Sequence, residues 1–382
     1  MANQTVVSLF SGIGGFESGF ALAGLQTTLM CEKDPAAQNV LHAHFPSISL
    51  VDDIVEMTRL PECDVLVGGW PCQDLSQAGR VAGLGGSQSG LVSHVFRLID
   101  ASPKKPNTVI LENVAFALSL QKGRAIQYVT DELAQRGYRW AYRVLDTREF
   151  GIPQRRRRVF VMAMLEGDPT DHLFAGIDGV ALKEEAPTDI GFYWTEGNRG
   201  VGWTVDAVPP LKGGSGLSIP SPPAIWNIAT GAFKTPGIED AERLQGFAPG
   251  WTSAARDVAK ADRLRWRLIG NAVSVPVSTW LAQRLVSSDN GAPAFKELGT
   301  MTRCQHNAAW GGAKATTHYL PSVCEGPGRR MTVEAFKLGG AQALSIRAAE
   351  GFLRRYMKSN LKKNPAFARA LATHCGLTEV PA

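Results

Sequence analysis

The chain has 382 residues, 44% of them hydrophobic and 20% charged, with a formal net charge of +5. That length exceeds the roughly 250–300 residues that one hydrophobic core organises, so more than one domain is expected. The composition is too apolar for a disordered chain, and no apolar run reaches the about 18 residues of a membrane-spanning helix. The N-terminal MANQTVVSLFSGIGG carries no basic segment ahead of its short apolar run, which reads as a buried strand rather than a signal peptide; a cytoplasmic location is expected. Strands follow at TVVSLF (5–10), QTTLMCE (26–32), CDVLVGG (63–69), NTVILEN (107–113), YRWAYRVLD (138–146) and RVFVMAML (158–165). Several are apolar throughout, as in a sheet covered on both faces. Between them FESGFALAGL, PAAQNVLHAHF, GLVSHVFRLID and AIQYVTDELAQRG read as helices, the last closed by Gly137. Strand and helix in alternation predict a doubly wound, mostly parallel α/β sheet.

The pattern changes after about residue 166. Residues 191–253 hold 11 Gly and 7 Pro, yet also Trp194, Trp203, Trp226 and Trp251, a combination that reads as ordered, loop-rich binding structure. Apolar helical character returns at 258–286, and SDNGAP (288–293) reads as a linker. Residues 301–382 carry 12 Lys+Arg against 4 Asp+Glu, so this tail is strongly basic while the rest is slightly acidic, which points to an anionic partner or to a solubilising tail. Ser345 is placed to cap a helix through Lys358, and Asn364-Pro365 to open another that Gly376 closes. These two helices are expected to dock on the α/β lobe, with Arg354, Arg355 and Lys358 forming a basic face.

Five places along the chain can carry chemistry. The first strand ends in Phe10-Ser11-Gly12-Ile13-Gly14-Gly15, where glycines let a ligand approach the backbone, although a plain tight turn has the same residues. A dinucleotide fingerprint needs glycine at 17; Glu17 stands there, which disfavours a pyrophosphate. Glu32 closes the second strand, the usual place for an acid that binds ribose hydroxyls, so a nucleoside ligand without phosphates such as S-adenosylmethionine fits. Pro71-Cys72-Gln73 follows the next strand; a thiol at that edge is either a nucleophile or a buried structural cysteine. Glu112-Asn113-Val114 ends a further strand, and in Gln154-Arg155-Arg156-Arg157-Arg158 strand alternation would turn Arg156 and Arg158 to one face. Six scattered cysteines suit a reducing compartment, and the spacing of Cys304, His306, His318 and Cys324 fits no common zinc module, so no metal is expected.

Taken in order, FxGxG, PCQ, ENV, QxRxR, Glu242-Arg243-Leu244-Gln245-Gly246-Phe247 and Gly270-Asn271-Ala272-Val273-Ser274-Val275 resemble the cytosine-5 DNA methyltransferase family over about residues 5–287. The resemblance implies an S-adenosylmethionine pocket lined by Phe10, Gly12, Gly14, Glu32, Asp53, Ile54, Pro71, Asn271 and Val273. It implies Cys72 as nucleophile, Glu112 as the carboxyl on N3 of the base, and Arg156 and Arg158 as arginines orienting them; Ser76 falls near the site. Ser8 stands where many members have Asp. The implied partner is double-stranded DNA, with a cognate restriction endonuclease in the same system and the enzyme itself a monomer. The expected layout is a catalytic domain, 1–165 completed by 268–287, a target-recognition domain, 166–267, and a basic extension, 288–382. A tRNA cytosine methyltransferase and a DNA-binding regulator without catalysis are the alternatives; the Gly/Pro/Trp-rich lobe favours DNA, and Cys72, Glu112 and Arg158 together favour catalysis.

Overall fold

The computed structural model describes residues 4–71, 90–175, 186–196, 198, 200–213, 222–257, 261–287, 290, 307–312, 318–319 and 326–381. In chain order its strands are β1 (Thr5–Leu9), β2 (Gln26–Cys31), β3 (Ser49–Val51), β4 (Val65–Gly69), β5 (Thr108–Val114), β6 (Arg139–Asp146), β7 (Arg157–Met164), β8 (Asp189–Phe192), β9 (Thr204–Val205), β10 (Ala224–Asn227), β11 (Phe233–Thr235), β12 (Ala308–Gly311), β13 (His318–Tyr319) and β14 (Gln342–Ala343). The helices are α1 (Gly15–Leu22), α2 (Pro35–His44), α3 (Val92–Ala101), α4 (Arg124–Gln135), α5 (Pro169–Leu173), α6 (Ile238–Arg243), α7 (Ala261–Asn271), α8 (Val275–Val286), α9 (Val333–Phe336), α10 (Ile346–Lys358) and α11 (Pro365–His374). The chain packs as two compact units, one of residues 1–146, 157–180 and 273–328, the other of 147–156, 181–272 and 329–382. No helix among the described residues is long and apolar enough to cross a membrane.

The first unit is built on one sheet in the order β13-β12-β6-β7-β5-β4-β1-β2-β3. Strands β3, β2, β1, β4 and β5 are parallel, while β7 and β12 run against the rest. Its strands are the β-branched, apolar runs expected from sequence, buried along most of their length. On one face Val7, Leu9, Leu66, Val109, Leu111, Val159 and Val161 join Val95, Phe96 and Ile99 of α3 and Ile126, Val129 and Leu133 of α4 in one core. Each such side chain, fully buried, stabilises the fold by about 1.5–3 kcal/mol. The register pairs Gly69 with Glu112 and Val114 with Arg158, so these residues share the opposite face. There α1 and α8 pack closely: Ser278 Oγ donates to Gly15 O at 2.7 Å, and a methyl group added at Gly19 would stand 2.0 Å from Ser278 Oγ.

The second unit holds an antiparallel sheet in the order β14-β11-β10-β8-β9. The C-terminal helices belong to it, which corrects the expectation that they dock on the catalytic lobe. Phe352, Leu353 and Tyr356 of α10 and Phe367 and Leu371 of α11 pack with Phe192, Trp226 and Phe233 of the sheet. The caps are as read from sequence: Ser345 accepts from Ala348 N at 3.3 Å, and Asn364 from Ala366 N and Phe367 N. The basic face is smaller than expected. Arg354 and Lys358 are exposed, but Arg355 donates to the carbonyls of Trp194 and Glu196.

Candidate active site

Because β1 to β5 are parallel, the residues that follow them lie along one edge of the sheet. After β1, Phe10 takes a left-handed φ of 57°, unusual for a side chain of its size. Gly12 (φ 57°) and Gly14 (φ 90°) continue the turn into α1. A methyl group at Gly14 would stand 2.5 Å from the Phe45 ring, so glycine is required by both backbone and space. A methyl at Gly12 would meet nothing within 4 Å, so that backbone opens onto free space. After β2, Glu32 accepts from Gly12 N at 2.8 Å through one oxygen and from Asp34 N at 2.7 Å through the other. Burial pushes its carboxyl above the ordinary range, against the pull of those N–H groups. Each carboxylate oxygen keeps acceptor capacity for a ribose hydroxyl, so the open glycine turn and this acid fit the nucleoside of S-adenosylmethionine.

After β3, Asp53 pairs with Lys33 at 2.6 Å and is held below the usual carboxylate range by that hydrogen bond. Ile54 is buried, and its carbonyl accepts from Arg97 of α3, which also donates to Met57 O. Asn113 is the middle residue of the ENV block, and the structure gives its side chain a role that the block does not state. Its Nδ2 donates to Trp70 O at 3.1 Å, tying the end of β5 to the backbone just before Pro71. The carboxyl of Glu112 is nearly buried and pairs with Arg158 Nε at 3.0 Å. A methyl group at Gly69 would stand 3.3 Å from Glu112 Oε2 and 3.6 Å from Val273 Cγ2; Val273 O in turn crowds the Cβ position of Gly15. Gly69, Glu112, Arg158, Val273 and the start of α1 therefore form one cluster. At position 15 only glycine fits, because a side chain would collide with the Val273 backbone, and at 69 one would press on the Glu112 carboxyl; no local sequence pattern marks that need.

Other predicted residues are placed differently. Arg156 precedes β7 rather than lying in it. Its buried guanidinium donates to Gly270 O at 3.0 Å and Ala272 O at 2.7 Å within the second unit. Strand alternation thus fails for the pair Arg156 and Arg158, because the strand begins between them. Asn271 is the exposed last residue of α7, also in the second unit. Pro71 is half-buried, and Cys72 and Ser76 lie outside the described residues. Cys304, His306 and Cys324 lie outside them too, as does the side chain of His318.

A family model described as C-5 cytosine-specific DNA methylase matches residues 4–188. The chain is 42% identical over 377 residues to the Type II methyltransferase M2.BsuMI of Bacillus subtilis, covering 96% of this chain and 97% of that one. It is 28% identical to the Type II methyltransferase M.NlaX of Neisseria lactamica, covering 73% of this chain and 95% of the relative. Among solved structures, the S. pombe Dnmt2 methyltransferase aligns with 74% of this chain and 98% of its own at a TM-score of 0.57 and 17% identity, a likeness of fold. With the ordered motifs, the open glycine turn and near-full-length identity to a Type II methyltransferase in agreement, this chain belongs to the C-5 cytosine-specific DNA methylases.

Proposed function

We propose that the first unit is the catalytic and cofactor-binding domain of this DNA cytosine-5 methyltransferase and that the second, C-terminal helices included, reads the DNA target. The Glu112–Arg158 ion pair beside Gly69, three residues before Cys72, is the observation that carries the assignment of roles. Ring carbon C5 of cytosine is a poor nucleophile, so the Cys72 thiolate adds to C6 and the C5–C6 electron pair moves toward C5. Glu112 holds a proton at N3, neutralising charge as the adduct forms, and Arg158 fixes the Glu112 carboxyl and faces the O2 side of the base. Bound S-adenosylmethionine supplies the electrophilic methyl group that C5 accepts. Loss of the C5 proton and departure of the Cys72 thiolate then restore the enzyme. The C6 face is covered in a duplex, so the target nucleotide must leave the stack. Phe10, Gly12, Gly14, Glu32, Asp53, Ile54, Pro71 and Val273 would line the cofactor. Arg156, which holds the carbonyls of Gly270 and Ala272, and Asn271 between them keep the orienting and cofactor roles that the family resemblance gives them. Action as a monomer, a cognate restriction endonuclease in the same system and a bacterial cytoplasmic location complete the proposal.

Labelled S-adenosylmethionine, incubated with unmethylated duplex DNA or with tRNA, tests this reading. Label should enter DNA with the native enzyme and not with Cys72→Ala, and a duplex carrying 5-fluorocytosine should trap the native enzyme covalently. Transfer to tRNA in place of DNA, or turnover near the native rate in Cys72→Ala, overturns it.

A further inference from the structure

The turn that follows Glu112 exposes a side chain the chemistry above does not use. Residues Ala115–Leu118 form a short 3-10 helix in which Ala117 and Leu118 are buried in the first unit's core. Phe116 between them and the strand end is 64% exposed, the one exposed aromatic ring among the large hydrophobic side chains that the described residues leave in solvent. A single exposed aliphatic residue is ordinary, whereas an aromatic held outward four residues past Glu112 offers a flat stacking surface. Five to eight residues further on, Gln121 (φ 51°) and Lys122 (φ 62°) lie in succession in the left-handed region, and Lys122 and Arg124 are exposed. Neither cation has an ion-pair partner among the described residues, and no acidic residue occurs between Val114 and Thr130. At most about 14 Å of extended chain separates Phe116 from Glu112, a reach of some four stacked bases.

We propose that this turn, Phe116 to Arg124, is a DNA contact surface, with Phe116 stacking on a base left unstacked beside the target nucleotide and Lys122 and Arg124 bonding backbone phosphates. The proposal rests on the DNA methyltransferase reading. Extruding a nucleotide exposes the faces of its neighbours, and an aromatic ring on one of them favours the extruded state for any sequence. The two cations fit the strand that carries that base, because an acid-free segment meets a polyanion without like-charge cost.

Two variants separate the parts. Lys122→Ala/Arg124→Ala should lower the slope of log affinity against log salt for a short fluorescent duplex by about two units, one for each phosphate that is no longer neutralised. Phe116→Ala should leave that slope unchanged and lower kcat/KM for methylation of unmethylated plasmid about tenfold. Binding of S-adenosylhomocysteine, measured directly, should match the native enzyme in both variants and shows that they fold. Native salt slope in the double variant together with native kcat/KM in Phe116→Ala overturns the surface. If the native enzyme methylates no DNA while the double variant still loses two units of slope, the surface stands and the functional reading falls.

Discussion

Phe367 is the centre of the second unit's core, and its removal shows whether the C-terminal helices are structural parts of that unit. The ring is fully buried, with centroids of Phe192 and Trp203 at 5.1 Å, Trp226 at 5.3 Å, Phe233 and Tyr356 at 5.7 Å and Phe352 at 6.1 Å. Truncating a core Phe to Ala costs about 3–5 kcal/mol, and six ring partners from sheet and helices place this site at the upper end. Against a whole-fold stability of about 5–15 kcal/mol, that is a large fraction. With a urea dependence of about 2 kcal/mol/M, Phe367→Ala should lower the unfolding midpoint by about 2 M, followed through Trp203 and Trp226 fluorescence. Phe367→Leu, which refills most of the space, should cost about 1–2 kcal/mol. Binding of S-adenosylhomocysteine should persist at urea concentrations where those tryptophans report unfolding, since Gly12 and Glu32 belong to the other unit. A midpoint shift below about 0.3 M would mean that the helices add no core, and the packing argument would fail.

Arg158→Ala should lower the methylation rate about 100-fold or more at a smaller cost in stability, because it takes the cationic partner from the Glu112 carboxyl at the sheet edge. Arg156→Ala should do the reverse in emphasis, destabilising by about 2–4 kcal/mol as the Gly270 and Ala272 carbonyls lose their donors; equal stability of the two variants would contradict this. Glu242 and Arg265, both fully buried and paired at 3.0 Å with Thr252 bridging them, should lose about 3–5 kcal/mol on Arg265→Met alone and less on Arg265→Met with Glu242→Leu, read by denaturant titration. Glu17 is buried, and although the Ser8 and Ser11 hydroxyls favour its ionised form, neither carboxylate oxygen makes a hydrogen bond of good geometry; burial raises its pKa above 4.5. A raised folded pKa gives stability that is complete below the unfolded value and lost as pH rises through the folded one. Glu17→Gln, neutral throughout, should therefore gain on the native protein as pH rises from 4.5, and parallel stability-against-pH curves would refute this.

Much of the first unit is legible in the sequence because its strands are continuous β-branched runs with helices of fixed apolar period between them, and both signals are local. The edge of the sheet is legible for the same reason: Phe10 and Glu32 stand just past a strand end and Glu112 lies in the last three residues of its strand. What the sequence does not disclose depends on contacts between distant segments. Gly15 is small because the Val273 backbone lies against it, and Asn113 is needed because Trp70 offers a carbonyl. The destination of α10 and α11 is hidden because an amphipathic stripe names no partner; Phe352 and Phe367 fit any apolar sheet face, and only the aromatic lining of β8, β10 and β11 decides which. Arg355 reads as surface charge because carbonyls that accept from it, at Trp194 and Glu196, carry no residue signature.

The reversed strand β7 explains why the site needs a mixed sheet. In a wholly parallel sheet only the C-terminal ends of strands reach the ligand edge, and a residue near the start of a strand lies at the far side. Glu112 is two residues from the end of β5, Arg158 is the second residue of β7, and they pair at 3.0 Å because β7 runs antiparallel, with Val114 opposite Arg158. A parallel β7 would bring Met162 and Met164 to that edge, and two thioethers cannot orient a carboxylate. The same reversal places Phe160 opposite Glu112 in the register. One reversed strand thus gives a nearly buried carboxyl a fixed cationic partner, and a charge-assisted hydrogen bond of that kind holds the carboxyl in one orientation at the ligand edge.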